Sequence, residues 1–187
     1  MSTKNNLIEL QSVNPNIIID LRYATTDNFT KKQIYSVAKC YLLKEVAEAL
    51  SRVQQELEQK GLGLKVWDGY RPISTQWKLW KIVPDERYVS DPRKGGRHTR
   101  GTSVDLTLVQ VSDGKELVMP TEFDYFSPKA WRDYDDLSDR VKRNRQLLQD
   151  VMEKYDFIGL PTEWWHFDYR GWESYKEFDV SLEDLEK

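Results

Sequence analysis

Apolar residues recur at helical spacing in two segments of the chain. From Leu43 to Leu57 they follow one another at intervals of three and four residues, and a second apolar stripe runs from Val141 to Tyr155. Pro72 suits the first turn of a further helix, because proline has no N–H to leave unpaired there. The predicted helices are about Tyr41–Lys60, Ile73–Ile82 and residues 139–155, the last with Ser138 or Asp139 as its cap.

Alternation of apolar and polar residues marks a strand in SVDLTLVQV, which covers Ser103–Val111. Its valine and leucines at even positions face one side, and Ser103, Asp105 and Thr107 face the other. The other predicted strands are Leu64–Asp68, Leu117–Met119 in a hairpin turning at Ser112, and segments within residues 157–161 and 164–169. We therefore predict an α+β fold, a single domain over residues 1–187 with helices packed on a mostly antiparallel central sheet.

Composition excludes several classes of protein. The 187 residues carry a formal net charge of -3, with Lys and Arg scattered among acids, so we expect no nucleic-acid partner. Cys40 is the single cysteine, which excludes an intramolecular disulfide and a cysteine-based zinc site. No apolar run approaches the length of a membrane span and the N-terminus lacks an apolar signal segment, so we expect a cytoplasmic protein without a membrane partner.

Each of the two histidines has an acidic residue near it in the sequence. His98 precedes Asp105 by seven residues, with Gly101 between them, and His166 follows Glu163 by three residues in an aromatic run. A hydrogen-bonded core histidine would explain the stretch around His166, and a solvated loop histidine with an exposed strand aspartate would explain the stretch from His98 to Asp105. Taken together, two imidazoles and a carboxylate suit a zinc ion with one open position. Glu163 would then be placed to act as a general base.

Arg71 follows the predicted strand Leu64–Asp68, in the segment VWDGYRP. Its planar fork of N–H donors could stabilise a developing oxyanion or bind a substrate carboxylate. A structural ion pair with Asp68 explains the same residue, and the residues alone favour that simpler interpretation.

Several segments, in order along the chain, resemble the zinc D-alanyl-D-alanine dipeptidases of the vancomycin-resistance type. These segments are RYATTDNFT, VWDGYRP, GRHTRGTSVD, FDYF and EWWH, between about residues 20 and 170. The resemblance implies the D-Ala-D-Ala metallopeptidase or hedgehog-like fold. It also implies a zinc peptidase that hydrolyses D-alanyl-D-alanine to two D-alanines by a metal-activated water.

The resemblance also assigns roles to particular residues. One zinc ion per chain would be bound by His98, Asp105 and His166. Glu163 would be the catalytic base, and Arg71 would stabilise the tetrahedral transition state.

The same resemblance implies a small dipeptide as the partner molecule. Asp124 would pair with the free amino group of the dipeptide, and Tyr23 would line the substrate pocket. Gly96 stands where the family has a serine near the amino end of the substrate, so one hydroxyl contact is expected to be missing. Two alternatives stay open: a D,D- or L,D-carboxypeptidase acting on cell-wall peptides, and a non-catalytic, zinc-containing module that binds peptidoglycan.

Overall fold

The computed structural model describes residues 6–187, and its centre is a five-stranded sheet with the order β2-β4-β5-β7-β6. Neighbouring strands are antiparallel except β2 and β4, which are parallel. The remaining strands, β1 and β3, form a separate antiparallel pair. The strands are β1 (Leu7–Glu9), β2 (Ile18–Ile19), β3 (Tyr41–Leu43), β4 (Leu62–Asp68), β5 (Ser103–Gln110), β6 (Phe157–Gly159) and β7 (His166–Tyr169). The predicted α+β fold with a mostly antiparallel sheet is confirmed.

The helices pack on the sheet and contribute to the hydrophobic core. α2 begins directly after β3 and packs on β4, whereas α4 packs on β5 and β6. Ser138 caps α4, with its Oγ accepting a hydrogen bond from the Val141 N–H at 3.4 Å, as its position before the apolar stripe predicts. The helices are α1 (Leu10–Val13), α2 (Lys44–Glu58), α3 (Ile73–Ile82), α4 (Asp139–Lys154) and α5 (Leu182–Leu185). Among residues 6–187, none of these helices is long and apolar enough to cross a membrane.

The two faces of β5 have different roles. Val104, Leu106 and Leu108 are fully buried in the core formed with the apolar faces of α2 and α4. Asp105 and Thr107 are also buried, but they lie on the opposite face and line cavities there. The alternation read from the sequence therefore separates a core face from a face available for binding.

Two element predictions are wrong in part. Tyr41–Leu43 was assigned to the start of a helix, but it forms β3, because its backbone pairs with Leu7–Glu9. Leu117–Met119 is predicted as a strand, yet after the turn the chain pairs with β5 through one isolated bridge, Val109 with Glu116, and through the Leu117 N–H, which donates to the Leu108 carbonyl at 2.9 Å. For Tyr41–Leu43, pairing with a distant segment decides the conformation, and local periodicity does not report such pairing.

Candidate functional site

The elements of the sheet bring both histidines and Asp105 to one point. β5 and β7 are antiparallel neighbours, and their register pairs Asp105 directly with His166. His98 lies in a short 3-10 turn just before β5. The turn ends at Gly101, whose φ of 68° is in the left-handed region that favours glycine. The chain can therefore reverse there and bring His98 back over the start of the strand.

Three ligand-type atoms face one another across this point. Asp105 Oδ1 lies 2.9 Å from His166 Nδ1, and Asp105 Oδ2 lies 3.3 Å from His98 Nε2. The two ring nitrogens are 3.2 Å apart. One such atom from each residue lies within 4.8 Å of the others, and all three side chains are buried. This is the donor set, two imidazoles and a carboxylate, that suits a divalent metal ion.

The outer nitrogen of each ring is held by an acceptor, which fixes where the ring's lone pair points. His98 Nδ1 lies 2.8 Å from the Gly69 carbonyl oxygen, and His166 Nε2 lies 2.8 Å from Asp168 Oδ1. Each of these nitrogens therefore carries the proton and donates it outward. The inner nitrogens then face each other and Asp105, an arrangement that needs a cation between them, either a proton in the metal-free protein or a bound metal ion. The residues thus fit a bound metal ion.

Asp168 is the outer partner of His166 and is itself held on both oxygens. Its Oδ1 also accepts from Ser103 Oγ at 2.6 Å, and its Oδ2 is paired with the Arg97 guanidinium. Burial lowers the pKa of His166, but Asp168 and Asp105 outweigh burial and raise this pKa to about 10. The field at the inner nitrogen of His166 is therefore strongly attractive to positive charge.

Glu163 lies in the turn before β7, outside the regular pairing, as the bend at Pro161 predicts. Its Oε2 is 3.9 Å from His166 Nδ1, close to the ligand cluster but not in contact with it. Burial raises the pKa of the Glu163 carboxyl above its ordinary value, with the Asp105 charge adding to the rise. A carboxyl with its pKa raised in this way is a stronger base than an ordinary carboxylate and suits proton transfer.

Arg71 makes the expected ion pair and lines the cleft as well. Its Nε and Nη2 donate to Asp68 Oδ2 at 3.1 and 2.6 Å, and its Nη1 donates to Gln76 Oε1 at 2.7 Å. The guanidinium also lies 5.2 Å from the centre of the Tyr23 ring. Asp68 and Gln76 accept three of its five N–H groups, and Tyr35 is a further hydrogen-bond partner of the side chain. The ion pair with Asp68 thus fixes the orientation of the guanidinium.

Asp124 and Tyr23 form the other end of the same cleft. The Tyr23 hydroxyl donates to Asp124 Oδ2 at 2.7 Å, and both residues line a narrow cleft of about 50 Å³. Burial raises the pKa of Asp124 well above its ordinary value, although the Tyr23 hydrogen bond lowers it in part. The structure brings together all seven residues proposed from the sequence, which line this cleft: Tyr23, Arg71, His98, Asp105, Asp124, Glu163 and His166.

Comparison with known proteins identifies the family. The family model described as D-ala-D-ala dipeptidase matches residues 3–180 of the chain. The chain belongs to this family. It is 38% identical over 168 residues to the D-alanyl-D-alanine dipeptidase of Escherichia coli (strain K12), covering 90% of this chain and 86% of the relative. It is 30% identical over 171 residues to the D-alanyl-D-alanine dipeptidase of Enterococcus faecium, covering 81% of this chain and 85% of that protein.

Solved structures are less similar to this chain than the relatives named above. VanYB in complex with D-alanine-D-alanine matches with a TM-score of 0.46 and 15% sequence identity, covering 72% of this chain and 75% of that chain. The vancomycin resistance D,D-dipeptidase VanXYg in complex with a D-Ala-D-Ala phosphinate analogue matches with a TM-score of 0.41 and 16% identity, covering 87% and 66%. These likenesses are too distant to bear on individual residues.

In this member of the dipeptidase family, the loop that carries His98 is held by a residue that sequence reasoning missed. The Glu177 carboxylate accepts the Gly96 N–H at 2.7 Å and the Thr99 hydroxyl at 2.6 Å, one on each side of His98. The Thr99 carbonyl accepts the Phe178 N–H at 2.8 Å. Glu177 lies 79 residues beyond His98 in the sequence, and no local sequence pattern predicts its contact with the loop that carries His98.

Gly96 marks the departure from the family motif, and the structure gives its local reason. A Cβ atom added at Gly96 would lie 2.6 Å from Thr99 Oγ1 and 2.9 Å from Thr99 Cγ2. The Thr99 side chain, held by Glu177, therefore fills the space that a larger residue at position 96 would need.

Asp168 was also missed, although the sequence carries a signal for it. It lies two residues after His166 on β7, and residues two apart on a strand share a face.

Proposed function

We propose that this protein hydrolyses the dipeptide D-alanyl-D-alanine to two D-alanines with the help of one bound zinc ion. One observation carries the proposal: two inward-facing imidazole nitrogens and the Asp105 carboxylate converge within 4.8 Å, with a pKa-raised carboxyl, Glu163, beside them. Family membership and the names of the relatives support D-Ala-D-Ala as the substrate.

The metal would be held by His98 Nε2, His166 Nδ1 and Asp105. Zinc is the expected ion, because a borderline-soft metal favours this nitrogen and carboxylate set with an open fourth position. When bound, zinc supplies Lewis acidity, which acidifies water and polarises a carbonyl oxygen. The Gly69 carbonyl and Asp168 keep both rings in the tautomers that binding requires.

Glu163 is the residue we assign to proton transfer. In the proposed reaction its carboxylate removes a proton from the attacking water and later delivers that proton to the leaving amino group of the second D-alanine. Its raised pKa suits this exchange, because a carboxylate of ordinary acidity is a weaker base and would take up and hold the proton poorly. Its distance of 3.9 Å from His166 Nδ1 leaves it free of the ligand set.

Arg71 is assigned to the oxyanion that forms as the peptide carbonyl becomes tetrahedral. The N–H group that is not used by Asp68, Gln76 and Tyr35 is available to the developing charge. Since the ion pair with Asp68 already fixes the guanidinium, little reorganisation is needed during the reaction.

Asp124 is assigned to the free ammonium of the dipeptide. A substrate ammonium would lower the raised pKa of this carboxyl and restore its charge, so binding and ionisation favour each other. A blocked amine offers no such partner and would leave a polar group buried without compensation. This accounts for a preference for dipeptides over longer chains.

The decisive test combines metal analysis with an assay of D-alanine release. We expect about one zinc per chain, release of D-alanine from free D-Ala-D-Ala, and loss of release on chelation that added zinc restores. Acetylated D-Ala-D-Ala is the matched control substrate, because it differs only in the amine that Asp124 would recognise. Equal cleavage of both substrates would favour a carboxypeptidase, and zinc without hydrolysis of either would favour a binding module.

A further inference from the structure

Glu163 lies in the chain reversal between β6 and β7, and we call residues 160–166 the base turn. The backbone bonds within this turn are long. The Leu160 N–H donates to the His166 carbonyl at 3.1 Å, and the Glu163 N–H donates to the Leu160 carbonyl at 3.2 Å. The Trp164 N–H instead donates outside the turn, to the Ala130 carbonyl at 3.0 Å. The base turn is therefore held in part by a neighbouring segment, residues 130–132.

Arg132, in that segment, bonds the base turn at both ends. Its Nε donates to the Leu160 carbonyl at 2.9 Å, and its Nη2 donates to the His166 carbonyl at 2.8 Å. Its backbone N–H donates to the Pro161 carbonyl at 2.9 Å. Glu163 lies between the two ends of the turn in the sequence. One planar guanidinium therefore fixes the separation of the two ends of the segment that carries the Glu163 carboxyl.

The Arg132 charge is not neutralised by an acidic partner. Within residues 6–187, the hydrogen bonds of its side chain all go to backbone carbonyls, and its Nη1 is buried without one. Burial lowers the pKa of Arg132 to about 10, although nearby carboxyls, Glu163 among them, oppose part of this fall. The guanidinium is therefore still charged at neutral pH. Burial of a cation without an ion pair costs stability, and the two carbonyls are the contacts that offset this cost.

Gly159 makes room for the guanidinium. A Cβ atom added at Gly159 would lie 2.3 Å from both Cζ and Nε of Arg132. Gly159 is not among the residues with positive φ, so its backbone conformation does not require glycine. The Arg132 Cζ also lies 4.2 Å from the centre of the Phe167 ring, and Phe167 is paired with Gly159 across β6 and β7. These two residues therefore fix the place of the guanidinium.

We propose that Arg132 is a positioning residue for the catalytic base: it fixes the ends of the base turn and thereby places the Glu163 carboxyl beside the metal ligands. This inference rests on the proposed function, in which Glu163 transfers the proton. Arg132 is not among the residues that line the cleft, and its side-chain bonds reach neither Arg71 nor Asp124. Its loss should therefore slow proton transfer with little change in substrate binding.

The test measures kcat and KM for D-alanine release, together with zinc content, in the full-length protein. Arg132→Met removes the fork of donors and keeps an apolar stem, whereas Arg132→Lys keeps the charge but cannot bridge two carbonyls. Gly159→Ala displaces the guanidinium and leaves Arg132 itself unchanged. Arg145→Met is the matched control, because Arg145 also donates to two backbone carbonyls, neither of them in the base turn.

We expect kcat to fall roughly 10- to 100-fold in Arg132→Met and in Gly159→Ala, the loss typical of a slightly misplaced reacting group. Arg132→Lys should lie between Arg132→Met and the parent protein. KM and zinc content should stay close to the parent values in every variant, and Arg145→Met should keep its kcat. An unchanged kcat in Arg132→Met and Gly159→Ala would overturn the proposal, and so would a loss of kcat that follows a loss of zinc.

Hydrogen exchange separates this inference from the proposed function. We expect the Glu163 and Trp164 amides of the base turn to exchange faster in Arg132→Met than in the parent protein, and at the parent rate in Arg145→Met. A parent protein that releases no D-alanine would refute the proposed function. Exchange in the base turn that neither Arg132→Met nor Gly159→Ala alters would refute the positioning role, whatever the activity.

Discussion

Asp168→Asn tests whether the outer hydrogen bond of His166 controls metal binding. Asp168 Oδ1 accepts from His166 Nε2 at 2.8 Å and from Ser103 Oγ at 2.6 Å, while Oδ2 faces the Arg97 guanidinium. An asparagine has one acceptor oxygen only. If that oxygen faces His166, the new NH₂ group meets the Arg97 donors; if it faces Arg97, the NH₂ group meets the ring N–H and opposes the required tautomer.

Either arrangement should weaken metal binding, and the loss of metal affinity should be large for a residue that does not itself bind the metal. Substitution of such partners generally lowers metal affinity by about 10- to 100-fold, which corresponds to about 1.4–2.7 kcal/mol. Asp168 is only 3% exposed, so solvent does not screen its charge. We therefore expect a value in the upper half of that range.

The measurement is competition for zinc between the protein and a chromophoric chelator near neutral pH. Asp156→Asn is the matched control, because Asp156 also pairs with an arginine, Arg170 at 3.4 Å, but is 62% exposed and remote from the ligands. Thermal unfolding of the metal-free variants separates lost affinity from lost stability. A zinc affinity for Asp168→Asn within twofold of the parent protein would refute the reasoning.

Four further outcomes are expected. Glu163→Gln should keep its zinc and lose roughly 100- to 10,000-fold in kcat, measured as D-alanine release; an unchanged kcat would exclude it as the base. Glu177→Ala should release zinc to a chelator faster than the parent protein, because the Gly96 N–H and the Thr99 hydroxyl both lose the one oxygen that accepts them, whereas Glu177→Gln keeps an acceptor oxygen and should release zinc at nearly the parent rate; equal release rates for Glu177→Ala and the parent protein would contradict this. Gly96→Ser should lower the melting temperature, since a Cβ at position 96 meets Thr99 Oγ1 at 2.6 Å; an unchanged melting temperature would contradict this. Arg93 lowers the pKa of Asp91 to about 2. This pair therefore stabilises the fold above about pH 4, and its contribution is lost as the pH falls towards 2. The urea midpoint of Asp91→Asn should be lower than that of the parent protein near neutral pH, and the two midpoints should converge in acid.

Helices whose apolar residues recur at a regular local spacing were predictable from the sequence. The helix Ile73–Ile82 has the predicted bounds, and Asp139–Lys154 ends one residue before the predicted position. The helix Lys44–Glu58 begins three residues later than predicted, because Tyr41–Leu43 forms β3. A three-residue strand stabilised by a distant partner leaves no periodic signal in the sequence. The two-residue strand Ile18–Ile19 has no such signal either, and its parallel pairing with β4 follows only from the fold.

The residues of the site also divide into those that the sequence predicted and those that it did not. Residue type and spacing were enough to propose His98, Asp105 and His166 as metal ligands and Glu163 as the base. The roles proposed for Arg71, Asp124 and Tyr23 came from the resemblance to the family. The groups that orient those side chains have no motif: one is the backbone carbonyl of Gly69, and another is Glu177, a residue in an irregular segment near the C-terminus. Asp168 lies between these cases, since alternation along β7 puts it on the face of His166. A positioning contact needs only one well-placed acceptor, which many sequences can supply from many places.

The acidic residues around the cleft are sorted into two kinds by their surroundings. Asp105 and Asp168 lie against histidine nitrogens, and despite burial these partners hold both pKa values below the ordinary range. Both stay ionised, and they suit the permanent tasks of binding a cation and orienting a ring. Burial raises the pKa values of Glu163 and Asp124: the histidine nearest Glu163, His166, is 3.9 Å away and offsets the rise only in part, and Asp124 accepts from the neutral Tyr23 hydroxyl. Each gains most from a charge that arrives with the reactants, a proton from water for Glu163 and an ammonium for Asp124. Carboxyls of one chemical type, separated in this way within a single cleft, can therefore bind the ion, transfer the proton and select the substrate without interfering with one another.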